Sequence, residues 1–72
     1  MDSTRTPAYR RFLVRLKAAR HEAGLTQVEV AKRLRRNQAF VSKSESGDRR
    51  VDVIELRAFA KLYGKPLDYF LR

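Results

Sequence analysis

Apolar positions along this 72-residue chain recur three and four residues apart, in short blocks separated by turn-forming residues. That is the period of amphipathic helices, whereas a half-buried strand would alternate strictly. Phe12, Leu16, Ala19 and Ala23 form one such stripe, with Leu13 beside them. Thr6-Pro7 ahead of it reads as an N-cap followed by proline at the first helical position. The spacing predicts a first helix from Pro7 to about Ala23, stopped at Gly24. Thr26 and Glu29 make a capping box that opens a second helix, about Gln27 to Leu34, with Val30, Ala31 and Leu34 on its inner face. Asn37 is a good N-cap for a third, Gln38 to Ser46, and Gly47 is placed to end it. A second capping box, Asp52 with Glu55, opens a fourth that runs to about Tyr63. Its expected buried stripe is Val53, Leu56, Ala60 and Tyr63, with Phe59 alongside. After Gly64 and Pro66, the segment Leu67 to Leu71 suits a short fifth helix. The expected fold is all-α, a compact bundle of five short helices. Residues 1–6 read as a flexible tail and 7–72 as one domain.

Only Arg35 and Arg36 separate the second and third helices, too few for an ordinary loop. Two short helices at that interval have the geometry of a helix-turn-helix, whose second helix enters the DNA major groove. The third helix divides by face. Gln38, Ala39, Ser42 and Lys43 share one side, Phe40, Val41 and Ser44 lie opposite, and Glu45 sits at the border. The first side is small, polar and cationic, with groups that can bond to base edges and an alanine that permits close approach. A solvated helix face has a similar composition. The capped helix and two-residue turn in front of it favour the DNA-reading alternative.

Charge changes the picture further. Seventeen Lys and Arg against eight Asp and Glu leave a net charge of +9. Residues 1–36 hold ten basic and three acidic groups, and residues 37–72 hold seven and five. Such a field attracts polyanions. The chain has no cysteine, so it has no disulfide framework and no thiolate chemistry. No apolar run reaches the ~20 residues that a membrane helix needs, and the N-terminus lacks a signal-peptide core. A soluble, cytosolic protein is expected.

Taken together, LKAARHEAGLTQ, VEVAKRL, QAFVSKSESG, RRVDVIEL and FAKLYGKPLDYFL resemble the lambda-repressor and Cro-like (xenobiotic-response-element type) helix-turn-helix domains, over about residues 12 to 71. The resemblance implies that the third helix is the recognition helix, with Gln38, Ala39 and Lys43 facing bases and Ser42 close by. It places Gln27 on a phosphate, bracing Gln38, and pairs Arg20 with Glu45 as a structural ion pair. Departures from the pattern are local. Arg35 stands where glycine is common, Arg36 replaces a usually apolar residue, and Ser44 replaces a larger apolar one, which should thin the packing behind the third helix. Arg35 and Arg36 read equally as contacts to the DNA backbone or as solvent-exposed turn residues. Asn37, Arg49 and Arg50 join the backbone-contact set.

Other chemistry finds little support. His21 is the only histidine, and no residue set has the spacing of a metal site, a phosphate loop or a catalytic centre. No cofactor and no enzymatic activity are expected. Arg10, Arg11, Arg15 and Lys17 read as a solvated cationic face, and Tyr9, Tyr63 and Tyr69 as packing residues. The leading function is a sequence-specific, repressor-like regulator that binds a pseudo-palindromic double-stranded operator as a homodimer. Leu67 to Leu71, with Tyr69 and Phe70, serves either as the dimer contact or as core. The alternative is a protein-interaction module such as an antitoxin, which binds a partner toxin and autoregulates through DNA.

Overall fold

Each α-helix begins at a side chain that satisfies an otherwise orphaned backbone N–H, and these caps set the boundaries. In the computed structural model, which describes residues 5–72, the Oγ1 of Thr6 accepts from the Tyr9 amide at 3.1 Å and α1 runs Pro7–Glu22. The first four residues of the expected tail lie outside the described residues. Thr26 and Glu29 close a reciprocal capping box at 3.1 and 2.9 Å, and α2 runs Gln27–Leu34. Asn37 Oδ1 accepts from the Phe40 amide at 2.8 Å ahead of α3, Gln38–Ser46. Asp52 and Glu55 repeat the box at 2.8 and 3.1 Å ahead of α4, Val53–Tyr63.

Two corrections concern the buried stripes. Val53 is exposed, and the inner face of α4 is Phe59, Ala60 and Tyr63, with Leu56 half-buried. As the first residue of α4, Val53 lies ahead of the turn that packs against the core. Ala23 is also exposed, because it is the C-cap of α1 and the chain is already turning there.

The fifth helix is not an α-helix. Leu67–Leu71 forms a 3-10 helix, so the described residues hold four α-helices, that 3-10 segment and no strand. Pro66 supplies no side-chain cap, and five residues cannot repay the cost of an α-helical nucleus. The tighter winding still turns Tyr69 and Phe70 inward, where both are buried. These two rings therefore belong to the domain's own core, and only Leu67 and Leu71 of that segment are exposed large apolar residues.

The core gathers Phe12, Leu16 and Ala19 of α1, Val30 and Ala31 of α2, Phe40 and Val41 of α3, the α4 residues and the two C-terminal rings. α1 packs against α3, α4 and the 3-10 helix, while α2 packs against α3. Phe40 stacks on Phe59 with ring centroids 5.8 Å apart and planes 7° from parallel. No helix of the described residues is long and apolar enough to cross a membrane.

The turn between α2 and α3 is made as a glycine would make it, although an arginine stands there. Arg35 lies in the left-handed region at φ 58°, ψ 42°, matching Gly24 (φ 72°) and Gly64 (φ 69°) after α1 and α4. Its amide donates to Lys32 O at 3.2 Å and the Arg36 amide to Ala31 O at 2.9 Å, the two-bond closure of a Schellman turn. A non-glycine residue in that region costs about 1–2 kcal/mol. Arg35→Gly should accordingly raise unfolding stability by roughly 1 kcal/mol in urea denaturation. An unchanged or lower midpoint would show that the arginine side chain offsets the backbone strain.

Candidate nucleic-acid interface

α3 presents a sharply divided surface. Gln38, Ala39, Ser42 and Lys43 are all exposed on one side, while Phe40, Val41, Ser44 and Glu45 are buried on the other. The exposed side has no bulky side chain except Lys43, so a flat polar face stands clear of the domain.

Behind one flank lies a chain of polar contacts. Arg20 Nε donates to Glu45 Oε2 at 2.6 Å and its Nη2 to Oε1 at 3.1 Å, a bidentate pair joining α1 to α3. The Arg20 Nη1 also donates to Leu25 O at 3.1 Å, so one guanidinium fastens the α1–α2 turn as well. The Glu45 side chain is 2% exposed and that of Arg20 11%. Its hydrogen bonds to Glu45 raise the Arg20 pKa further above its ordinary value. Gln27 Nε2 donates to Glu45 Oε1 at 3.2 Å, and Gln38 Nε2 donates to Gln27 Oε1 at 3.5 Å. Glu45 is thus linked through Gln27 to the first side chain of the exposed face. Burial pushes the nearby Tyr63 phenol up, and the Glu45 carboxylate adds to that shift.

The other flank is built differently, and here the expectation of thin packing fails. Ser44 is fully buried, with its hydroxyl donating to Phe40 O at 2.6 Å. Arg49 fills the space that a larger side chain would take. Its Nη1 donates to Ser44 Oγ at 3.3 Å, and its guanidinium lies 4.5 Å from the Phe40 ring centroid. Arg36 lies 3.8 Å from the same centroid. Both nitrogens of the Arg49 fork donate to Glu55, each at 2.9 Å, and Arg36 approaches Glu55 at 3.9 Å. Glu55 therefore serves twice, capping α4 and anchoring Arg49. Arg49 and, next, burial and the Asp52 amide act on its carboxyl, and the net effect is a pKa below the usual carboxylate range.

The remaining backbone-contact residues occupy varied settings. Asn37 is exposed and spends its side-chain oxygen on the α3 cap. Gln27 is half-buried and engaged by Glu45 and Gln38. Arg35 is exposed at the turn, and Arg50 is exposed with its guanidinium 5.8 Å from the Tyr9 ring. Sequence reasoning missed the Arg36–Arg49–Glu55 cluster. The available signal was the coincidence of a small Ser44 with a charged Arg36 around one aromatic, Phe40.

Residues 11–68 match the sequence profile of a family described as helix-turn-helix domain, which spans α1 to the start of the 3-10 helix. The chain belongs to this Cro and lambda-repressor-like helix-turn-helix family. Searches of curated proteins and of solved structures return no match. In this helix-turn-helix domain, α2 and α3 are the two helices of the motif. DNA binding is the property that the family implies, and its members are typically not enzymes.

Each flank generates a prediction. Glu45→Ala leaves the Arg20 charge largely buried and uncompensated, which should cost about 3–5 kcal/mol, read as a lower thermal midpoint. An unchanged midpoint would mean that the pair holds nothing in place. Glu55 has a depressed folded-state pKa, so its contribution is complete above its unfolded value of ~4.3 and disappears as pH falls through the lower folded value. Glu55→Gln should destabilise by roughly 1–2 kcal/mol at pH 7. Urea titrations should show that gap closing below about pH 4. A gap that does not narrow at all as pH falls would assign the loss to packing rather than charge.

Proposed function

We propose that this chain is a sequence-specific, repressor-like transcriptional regulator that inserts α3 into the major groove of an operator. The observation that carries the reading is the exposed Gln38, Ala39, Ser42 and Lys43 face, backed along both edges by charge-paired clusters that immobilise the helix. Groove insertion requires a rigid helix whose outer side chains are short enough to let the backbone approach. Gln38 stands on the first turn, and its primary amide suits adenine N6 and N7. Lys43 is placed for guanine or for a phosphate.

The backbone contacts divide by availability. Arg35 and Arg50 are exposed cations flanking the motif, with Arg36 partly exposed beside them. Asn37 and Gln27 add polar groups near the start of α3 and α2. Arg49 reaches a phosphate only while it also holds Glu55, using whatever donor the carboxylate leaves free.

Dimensions favour binding in pairs. The domain measures 32 × 23 × 20 Å, and half-sites one helical turn apart are separated by ~34 Å. Two copies set on successive turns of one duplex face therefore lie edge to edge. One α3 reads only a few base pairs, so pairing on a pseudo-palindrome supplies the missing sequence information. The setting in which such a regulator works is the cytoplasm, on the nucleoid.

In vitro selection of duplexes tests this directly. Gln38→Ala should weaken the best selected operator by about 1–3 kcal/mol, leave random DNA nearly unaffected and relax preference at one base pair per half-site. Recovery of the same motif by wild type and variant would remove Gln38 from the reading set. Affinity should also fall with salt, each neutralised phosphate adding about −0.9 to the slope of log K against log salt. A flat titration would sink DNA binding as the function.

A further inference from the structure

A second charged surface lies toward the start of α1, next to the cleft between α1 and α3. Arg10, Arg11, Val14, Arg15 and Arg72 line an open groove of about 270 Å³ between α1 and the end of the chain. Leu13, Lys17 and Glu45 line a separate cleft where α1 meets α3, and Val14 forms the ridge between the two. The arginine groove thus has a lining of its own, sharing only Val14 with that cleft.

Its groups are arranged in two tiers. Arg15 and Arg72 lie 5.0 and 5.9 Å from the Tyr69 ring centroid, which fixes them along one wall. The acids near this wall are already engaged, Asp68 with Arg72 at 3.6 Å and Glu22 with Lys65 at 2.8 Å. Among the described residues, Arg10 and Arg11 have no ion-pair, hydrogen-bond or ring partner from their side chains. Val14, 70% exposed, is the apolar element among four guanidiniums.

We infer that this groove docks an acidic segment of a partner protein, with carboxylates on the arginines and one apolar side chain on Val14. Guanidinium forks match carboxylates bidentately. A second duplex is the competing occupant, and it fits less well. A phosphodiester backbone makes no use of an exposed valine. The segment covers Val14 while pairing with Arg10 and Arg11, whereas isolated acidic ions would leave Val14 uncovered. This surface stands independently of what α3 reads.

The test uses the whole chain and a synthetic Asp/Glu-rich peptide carrying one central leucine, followed by NMR amide shifts and fluorescence anisotropy. The shifts should concentrate on Arg10–Arg15 and Tyr69–Arg72. Arg10→Ala with Arg11→Ala should weaken the peptide roughly tenfold while changing affinity for a selected operator by no more than about twofold. Val14→Ser, and serine in place of the peptide leucine, should each weaken binding several-fold at unchanged thermal stability. Shifts centred on Gln38–Lys43, or equal affinity for peptides with and without leucine, would overturn the proposal as non-specific charge attraction. An equal loss of peptide and duplex binding in the double variant would assign the groove to DNA instead. Failure of operator binding alone would leave the peptide result intact, so the two readings are separable.

Discussion

The Arg20–Glu45 pair is the contact on which the placement of the exposed α3 face depends. A carboxylate 2% exposed must be compensated, since an unpaired buried charge costs several kcal/mol. Compensation comes from one guanidinium that also holds Leu25 O. Three separate pieces of chain, α1, the α1–α2 turn and α3, are thereby referred to a single point. Apolar packing of Phe40 and Val41 holds α3 against the core, and the ion pair adds a directional constraint to it. The fork geometry of arginine fixes position and rotation together.

The opposite edge shows how a small domain compensates for apolar volume it lacks. Ser44 is too small to fill its site, and Arg36 cannot bury as a hydrocarbon would. The aliphatic and planar parts of Arg36 and Arg49 cover Phe40, and Glu55 neutralises the charge they bring. Arginine suits the task because its guanidinium is weakly hydrated and stacks on rings. The arrangement links the α2–α3 turn, the loop after α3 and the first turn of α4.

Most of the fold was legible because helix limits here are set by local chemistry. Thr26 with Glu29, Asn37, and Asp52 with Glu55 declare helix starts within four residues of sequence. The C-terminal segment was not legible as a 3-10 helix, since five residues after a proline carry too little periodicity to separate two helical windings. Val53 and Ala23 fell out of their stripes because periodicity marks a face but not how far the core extends along it. In the interface, the division of α3 followed from a 100° step between residues. The Arg49–Glu55 clamp did not, because it joins a loop side chain to a capping residue and depends on the path of that loop. The left-handed Arg35 was suggested only by the family pattern, and sequence alone left open whether the turn would adapt instead.

The polarity of the amide chain has a consequence for base choice under the proposed reading. A carboxylate only accepts hydrogen bonds, so Glu45 compels Gln27 to present its nitrogen inward and its oxygen toward α3. Gln38 must then offer nitrogen to Gln27, which leaves it one free N–H and a free carbonyl oxygen. One donor beside one acceptor complements adenine, whose major-groove edge carries an acceptor and a donor; guanine shows two acceptors and would demand a second N–H. The sign of a buried charge is in this way transmitted through two neutral side chains to the outer surface.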